Sequence, residues 1–438
     1  MMSVTNVNHP SGASRKDGIF PVGHMLPFSL VTSLFFMWGV PHNLNDILIR
    51  QFMKSFALSR FEAGLVQSAF YLGYFLVAIP AALLIRRFTY KIGILVGLAL
   101  YSTGTFLFWP AAIEGKYLYF LGALFVIASG LAFLETASNP FIAELGDPRS
   151  SERRLNFSQA FNPLGSISGV LIGTVFIFSG VELSPAQISG LKAQNLYEAY
   201  LRSETLRVVR PYMALGAVAF VLGLIILRTK FPAIQREHEG DAGDHGHFRD
   251  LLGQPHFLFA VVAQFLYVGA QVGTWSYFIQ YVEEATHQHE KVAGFFLTGT
   301  LVAFAVGRFT SAYLMRFFAP HRMLGTFALI NVGLVVIGVM WPGWVGLWAI
   351  FLTSFFMSLM FPTIFALGIK GLGPDTKIGG SMIVMAVAGG AVLTPAMGLL
   401  AESGHGVALS YLVPLAAYVF VCAYGFFGAT WGLKTDAA

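Results

Sequence analysis

Two carboxylates and one guanidinium interrupt long apolar stretches of this chain: Asp46 in GVPHNLNDILI, Glu135 in SGLAFLETASN and Arg308 in FAVGRFTSA. A charge at the centre of a bilayer costs about 2.5–3.5 kcal/mol on insertion scales and marks a functional position by default. A carboxylate in such a place is a natural proton carrier. Burial penalises its charged form and opening to water favours it, so protonation follows which side of the membrane is open. Asp46 falls late in its stretch, and Glu135 falls past the middle of a stretch running the other way. The two acids are therefore expected on opposite sides of the midplane, handling a proton at different stages. Arg308, near the end of its stretch, is read as a structural or gating residue whose head can snorkel or tie helices together. Glu62 and Glu402 stand at stretch ends and are read as solvated termini.

Amides and aromatic rings accompany the acids. Asn43 and Asn45 flank Asp46, and Asn139 follows Glu135 by four residues and so shares its helix face. Asn156, Gln159 and Asn162 open a further stretch. Gln264, Tyr267, Gln271, Trp275 and Tyr277 belong to another, where the first three recur at helical spacing as one polar stripe expected to face a cavity. Amides that hydrogen-bond hydroxyls, with rings that pack on an apolar ring face, are the equipment for binding a sugar. The expected substrate contacts are Asn43, Glu135, Asn139, Gln159, Asn162, Tyr267, Gln271 and Trp275. Gly165, Gly169 and Gly173 form a small-xxx-small ladder, read as close helix packing. His42 is read as a hydrogen-bonded bystander, and His238, His245 and His247 as part of a solvated loop, so no metal site is expected.

These residues need helices to hold them, and the composition supplies helices in a membrane. The 438 residues are 56% apolar and 11% charged, with a mean hydropathy of +0.67, against roughly 25% charged residues in soluble domains. A soluble single-core protein, a disordered chain and a nucleic-acid binder are excluded. The single cysteine, Cys422, gives neither a disulfide framework nor a thiolate metal site. Twelve apolar runs of spanning length lie near 26–49, 61–85, 92–113, 118–143, 155–180, 211–228, 255–282, 292–315, 323–341, 344–369, 378–401 and 407–432. They are continuous rather than alternating, which excludes a β-barrel. Residues 181–210 form a polar excursion. The fold class is all-α: twelve transmembrane helices in two pseudo-symmetric six-helix bundles. The segments are a tail at 1–25, a bundle at 26–228, a linker at 229–253, a second bundle at 254–432 and a tail at 433–438.

The pseudo-symmetry rests on an internal repeat. At a shift of 230 residues, Ala63, Gly64, Ala82, Leu84, Arg86 and Phe88 meet Ala293, Gly294, Ala312, Leu314, Arg316 and Phe318, while Phe35 and Gly39 meet Phe265 and Gly269. Arg86 and Arg316 join Arg308 as structural or gating positions. In the same register Asp46 lies over Ser276 and Glu135 over Phe365, so the second half lacks both acids. Acids needed only to fold the repeat would recur; these two are expected to do something particular to the first half. Parallel repeats of six spans are the plan of carriers that rock two halves about a central substrate.

The residues also carry a family likeness. NLNDIL at 43–48, AGLVQSAFYLGYF at 63–75, LETASNPF at 134–141, RLNFSQAFN at 154–162, YVGAQ at 267–271, GRFT at 307–310 and FPTIFALGIK at 361–370 occur in order. In these the chain resembles the fucose–galactose–glucose–proton symporter branch of the major facilitator superfamily, from about residue 26 to 430. The resemblance implies uptake of a deoxyhexose or hexose with a proton. It makes Asp46 and Glu135 the coupling pair, and implicates Gln159 and Asn162 in substrate binding or conformational change. An acid at 135, where glucose- and galactose-type members tend to carry an amide, favours L-fucose. Pro41-His42 departs from the family pattern and bears on substrate preference.

No cofactor is expected, since phosphate-cradling glycine loops are absent and the ion gradient is the energy source. A membrane enzyme would need clustered catalytic side chains, and a drug exporter a glycine–proline signature in the fifth span; neither is present. The alternatives are a proton-coupled glucose or galactose carrier and, more remotely, a non-transporting receptor. Lys and Arg concentrate in segments on the side of both termini, so both termini are expected in the cytoplasm; the resemblance implies a bacterial inner membrane. The partners expected are a small sugar, a proton and the lipid bilayer, with no nucleic acid, and the carrier is expected to be a monomer.

Overall fold

The computed structural model describes residues 23–146, 151–232, 251–315, 317–372, 376–404 and 406–431, and every regular element among them is helical. Twelve helices are long and apolar enough to cross a membrane. The first six are Met25–Phe56, Arg60–Ile85, Tyr90–Glu114, Tyr117–Ile142, Phe157–Ile177 and Tyr197–Arg228. The second six are Pro255–Ser276, Glu290–Ser311, Pro320–Met340, Trp344–Ile369, Met382–Ala401 and Val407–Phe426. A helix satisfies its own backbone in lipid, which is why a chain this apolar takes no other form. Leu76, Ile79, Leu83, Phe176, Val218, Phe295, Val306, Leu399 and Val419 remain exposed and give the bundle its apolar outer surface. The protein is a multi-pass membrane protein.

Capping fixes where spans begin. Ser59 accepts from the Glu62 amide while Glu62 returns a bond to the Ser59 amide, a capping box that starts the second span. Glu62 is thus a cap as well as a solvated terminus. The 230-residue register reappears in backbone conformation. The first span ends at Ala57 with φ 51°, and the helix Phe278–Thr286 ends at His287 with φ 56°, the equivalent position.

Packing follows the same repeat. In the first half the third span packs on the fourth and sixth, the first on the fifth and the second on the fourth. In the second half the ninth packs on the tenth and twelfth, the seventh on the eleventh and the eighth on the tenth. A Cβ at Gly165 would collide with the Phe36 carbonyl, and one at Gly389 with the Phe265 carbonyl. Glycine therefore lets the first and seventh spans approach their neighbours in both halves.

The sixth span differs from the sequence reading. Residues 181–210 contain a short helix, Pro185–Ala193, and the sixth span already begins at Tyr197. The polar residues do not end the helix because the first span satisfies them. Glu204 is 2% exposed; it pairs with Lys54 at 3.1 Å and accepts from Gln51 at 3.2 Å.

The halves meet along the second and eleventh spans and the fifth and eighth. One end of this seam is laced with charge. Arg50 donates to Glu283 at 2.7 Å, Lys54 to Glu290 at 3.2 Å, and Arg60 pairs with Glu284. Glu402 accepts from the Phe61 amide at 2.7 Å, so this acid joins the two halves and is more than a solvated terminus. Tyr277 donates to the Arg60 carbonyl at 2.8 Å. At the opposite end, Lys91 donates to the Leu227 and Thr229 carbonyls and Tyr90 to Glu144, bonds that stay within the first half.

The charged contacts obey the repeat in an inverted sense. Lys54 and Glu284 are equivalent under the 230 shift, as are Arg60 and Glu290. Lys54 meets Glu290 and Arg60 meets Glu284, the exchange of partners a two-fold interface requires. The first half carries both cations and the second both anions.

Candidate functional site

Asp46 sits at the inner end of the laced seam, 2% exposed. Its Oδ2 accepts from Asn43 Nδ2 at 3.1 Å, one helical turn back. Its Oδ1 accepts from Gln67 Nε2 on the second span at 2.9 Å and from Ser276 Oγ on the seventh at 2.9 Å. Gln67 Nε2 also donates to Ser276 Oγ at 3.0 Å. Asp46 thus belongs to both halves, and the partner from the second half is its own counterpart in the repeat. Below it Ser68 donates to the Ala391 carbonyl at 2.7 Å and the Tyr71 ring packs on Gly390, so the seam continues past the acid.

Glu135 has a different setting. It is half-buried, and its Oε1 accepts one hydrogen bond, from Tyr74 at 3.3 Å. Asn139 Nδ2 donates to the Glu135 carbonyl at 3.0 Å, and Gln159 Nε2 donates to Asn139 Oδ1 at 3.3 Å. Gln159 is exposed and Asn162, half-buried, donates to the Phe35 carbonyl at 3.4 Å. Glu135, Asn139 and Gln159 therefore form one polar group with unspent hydrogen-bonding capacity. His42 binds the Trp38 carbonyl through Nδ1 at 2.8 Å and packs against Tyr74, 5.5 Å between rings.

In the second half the polar stripe does not face a cavity. Gln264 and Tyr267 are fully buried, and the Tyr267 hydroxyl is used by the Met357 carbonyl at 2.8 Å. The helix turns Tyr267 onto the tenth span, and of the three stripe residues only Gln271 keeps partial exposure. Trp275 donates to Ser354 Oγ at 3.0 Å and meets Phe304 edge-on at 5.2 Å. Phe304 in turn lies under the exposed Arg308 guanidinium, 5.0 Å from ring centroid to Cζ, a cation–π contact. The side chains of Arg86, Arg316 and Asn156 lie outside the described residues, as do His238, His245 and His247.

The charged end has its own electrostatics. Glu182, Glu283 and Glu290 bring carboxylate oxygens within 4.8 Å of one another, with Arg50 and Lys54 inserted among them. Gly180 N–H and Ser179 Oγ donate to Glu290, at 2.8 and 3.4 Å. This is an ion-pair lattice in which cations and hydrogen-bond donors already take up the carboxylates. Glu283 is pushed up to about 7, by burial first; the Arg50 guanidinium pulls the other way and the neighbouring Glu182 adds to the rise.

Sequence reasoning did not single out Gln67, Ser276, Tyr74 or the seam ions. Ser276 was visible as the residue beneath Asp46 in the repeat, and the only signal for it was that coincidence.

Comparison with known proteins gives the following. A family model described as Major Facilitator Superfamily matches residues 28–395. The L-fucose-proton symporter of Escherichia coli strain K12 is 45% identical over 403 residues, covering 91% of this chain and 92% of the relative. A glucose/galactose transporter of Brucella abortus is 34% identical, covering 91% of this chain and 93% of the relative. A crystal structure of a Major Facilitator Superfamily transporter, FucP, in the outward conformation is 44% identical with a TM-score of 0.68, covering 92% of this chain and 99% of that one.

Proposed function

This chain belongs to the Major Facilitator Superfamily, and from that premise we propose that it carries L-fucose into the cell together with a proton, by alternating access. The observation that carries the reading is the pair of membrane-embedded carboxylates. Asp46 is sealed behind the laced seam and Glu135 is half-exposed beyond it. Two acids of opposite accessibility, both in the first half, suit a carrier that takes a proton from one side and releases it on the other. The greater identity to L-fucose symporters, 45% against 34% for the glucose/galactose relative, supports the deoxyhexose.

In this reading Asp46 and Glu135 couple the proton. Glu135, Asn139, Gln159 and Asn162 bind sugar from the first half, with Asn43 holding Asp46. Gln271 and Trp275 bind it from the second half, and Arg308 with Phe304 forms the gate-side wall. Tyr267 serves by positioning the tenth span. The Lys and Arg distribution supports cytoplasmic termini in a bacterial inner membrane. The laced end is then external and closed, unlike the outward conformation of the related transporter. The carrier works as a monomer, is not an enzyme and divides at the 229–253 linker.

The test is to reconstitute the protein in liposomes and record external pH on adding L-fucose, D-galactose or D-glucose. Alkalinisation with L-fucose alone is expected. Alkalinisation with the hexoses instead would keep proton symport and replace the sugar, the reading favoured by the 34% identical relative. Silence with all three would remove sugar–proton symport altogether.

A further inference from the structure

Asp46 makes three hydrogen bonds and accepts all of them, from Asn43, Gln67 and Ser276. No cation pairs with it among the described residues. Its titratable neighbour from the second span is Tyr71, the seventh and eleventh spans present Ser276 and the Ala391–Gly390 backbone, and His42 on its own helix is turned to the Trp38 carbonyl. A negative charge on Asp46 is thus met only by neutral donors. One of those donors, Ser276, comes from the second half, across the shut seam.

We infer that Gln67 and Ser276 are positioning residues that let Asp46 be sealed as a carboxylate, and so permit the return of the empty carrier. The inference rests on the symport reading above. A symporter shuts its outer end in two chemical states, with proton and sugar bound and with neither. A protonated acid is neutral and is buried at modest cost; a bare carboxylate is not, unless hydrogen bonds replace its water. The donors supply that replacement in the seam, two of them on one oxygen, and bonds to an ionised acceptor are the stronger kind.

Neutral partners also serve the loaded state. Gln67 Oε1 is buried without a hydrogen-bond partner. Turned over about its last torsion, the same amide presents Oε1 to a protonated Asp46 and can receive its hydrogen. A serine hydroxyl likewise donates or accepts. A lysine or arginine in their place would hold the carboxylate and oppose the protonated state. Both residues can thus accompany the acid through its change of charge, which a fixed cation cannot.

The experiment separates two modes of transport in proteoliposomes. Net uptake of labelled L-fucose down a proton gradient needs the empty carrier to return. Exchange of labelled for unlabelled L-fucose, at equal concentration on both sides, turns over while sugar and proton stay bound. For Ser276→Ala and Gln67→Leu net uptake is expected to fall about ten-fold while exchange stays within about two-fold of the unmodified protein, because one donor to a buried charge is lost. Ser276→Thr keeps the hydroxyl and is expected to restore net uptake. Equal loss of both modes in Ser276→Ala, with normal yield and gel-filtration profile, would overturn the inference, as would unchanged net uptake in both variants. If the unmodified protein shows neither mode with L-fucose, the symport reading fails and takes this inference with it.

Discussion

Asp46 lies within the seam between the halves, bonded to Ser276 of the second half, and Glu135 lies beyond it. The first is 2% exposed with three donors around it; the second is half-exposed and accepts a single hydrogen bond, from Tyr74. The same structure therefore presents one acid to water and withholds the other, and their chemical reactivities should differ accordingly.

That difference is measurable with a water-soluble carbodiimide and an amine, read by peptide mass spectrometry. Glu135 is expected to be modified and Asp46 largely spared. Modification of Asp46 with Glu135 spared would contradict the assignment of the sealed side.

The seam ion pairs should not contribute equally. Lys54 and Glu290 are 9% and 0% exposed, whereas Arg60 and Glu284 are 24% and 39% exposed. A buried pair is worth more than an exposed one, which contributes about 0–1 kcal/mol; Lys54 keeps Glu204 at 3.1 Å within its own half, so losing Glu290 removes the attraction across the seam without stranding the cation. Glu290→Gln is therefore expected to shift the protein strongly toward the state open at the laced end. Glu284→Gln should change the balance little. Distance distributions between spin labels across the seam would report both, and equal shifts would refute the ranking.

A third prediction concerns pH. Glu283 is raised to about 7 when buried in the closed seam beside Arg50 and Glu182, with Glu290 and His289 nearby. A raised acid takes up a proton on closing. Its contribution to the closed state is thus fully present below its open-state value and is lost as pH rises through about 7. Acidification on the laced side from above 7 should favour closure, and Glu283→Gln should flatten that dependence. A steeper dependence in Glu283→Gln, followed by the same labels, would reverse the sign argued here.

Packing between the first and fifth spans gives a fourth. Gly165 abuts the Phe36 carbonyl with no room for a side chain, while Gly122 has open space around its Cα. Gly165→Val is expected to cost roughly 1–3 kcal/mol as overpacking, and Gly122→Ala to leave thermal stability unchanged or slightly raised. Thermal unfolding in detergent distinguishes them, and comparable melting temperatures would remove the close-packing role.

The spans and their repeat were legible in the sequence because hydropathy is local and the 230-residue register is long. Asp46 and Glu135 stood out because a charge in an apolar run has few explanations. The partners were not legible in the same way. Gln67 is one amide in a chain with several, and Ser276 looked like the absence of an acid rather than a donor to one. Glu283, Glu284, Glu290 and Glu402 sit at helix ends, where sequence alone reads acids as solvated. Their meaning depends on cations, and for Glu402 on the Phe61 amide, more than 200 residues away. The stripe through Gln264 and Tyr267 misled because helical spacing shows that residues share a face, not what that face meets.

The inverted charges of the seam bear on how such a protein could have come from two copies of one unit. Were the halves identical chains, a two-fold contact would set Lys54 of one against Arg60 of the other, cation on cation. The lattice seen here, with Lys54 on Glu290 and Arg60 on Glu284, is open only to copies that have been free to diverge. It also gives each half a means of self-exclusion: two first halves repel along this face, two second halves repel, and only unlike halves attract. Halves made as separate polypeptides should then assemble as the mixed pair alone.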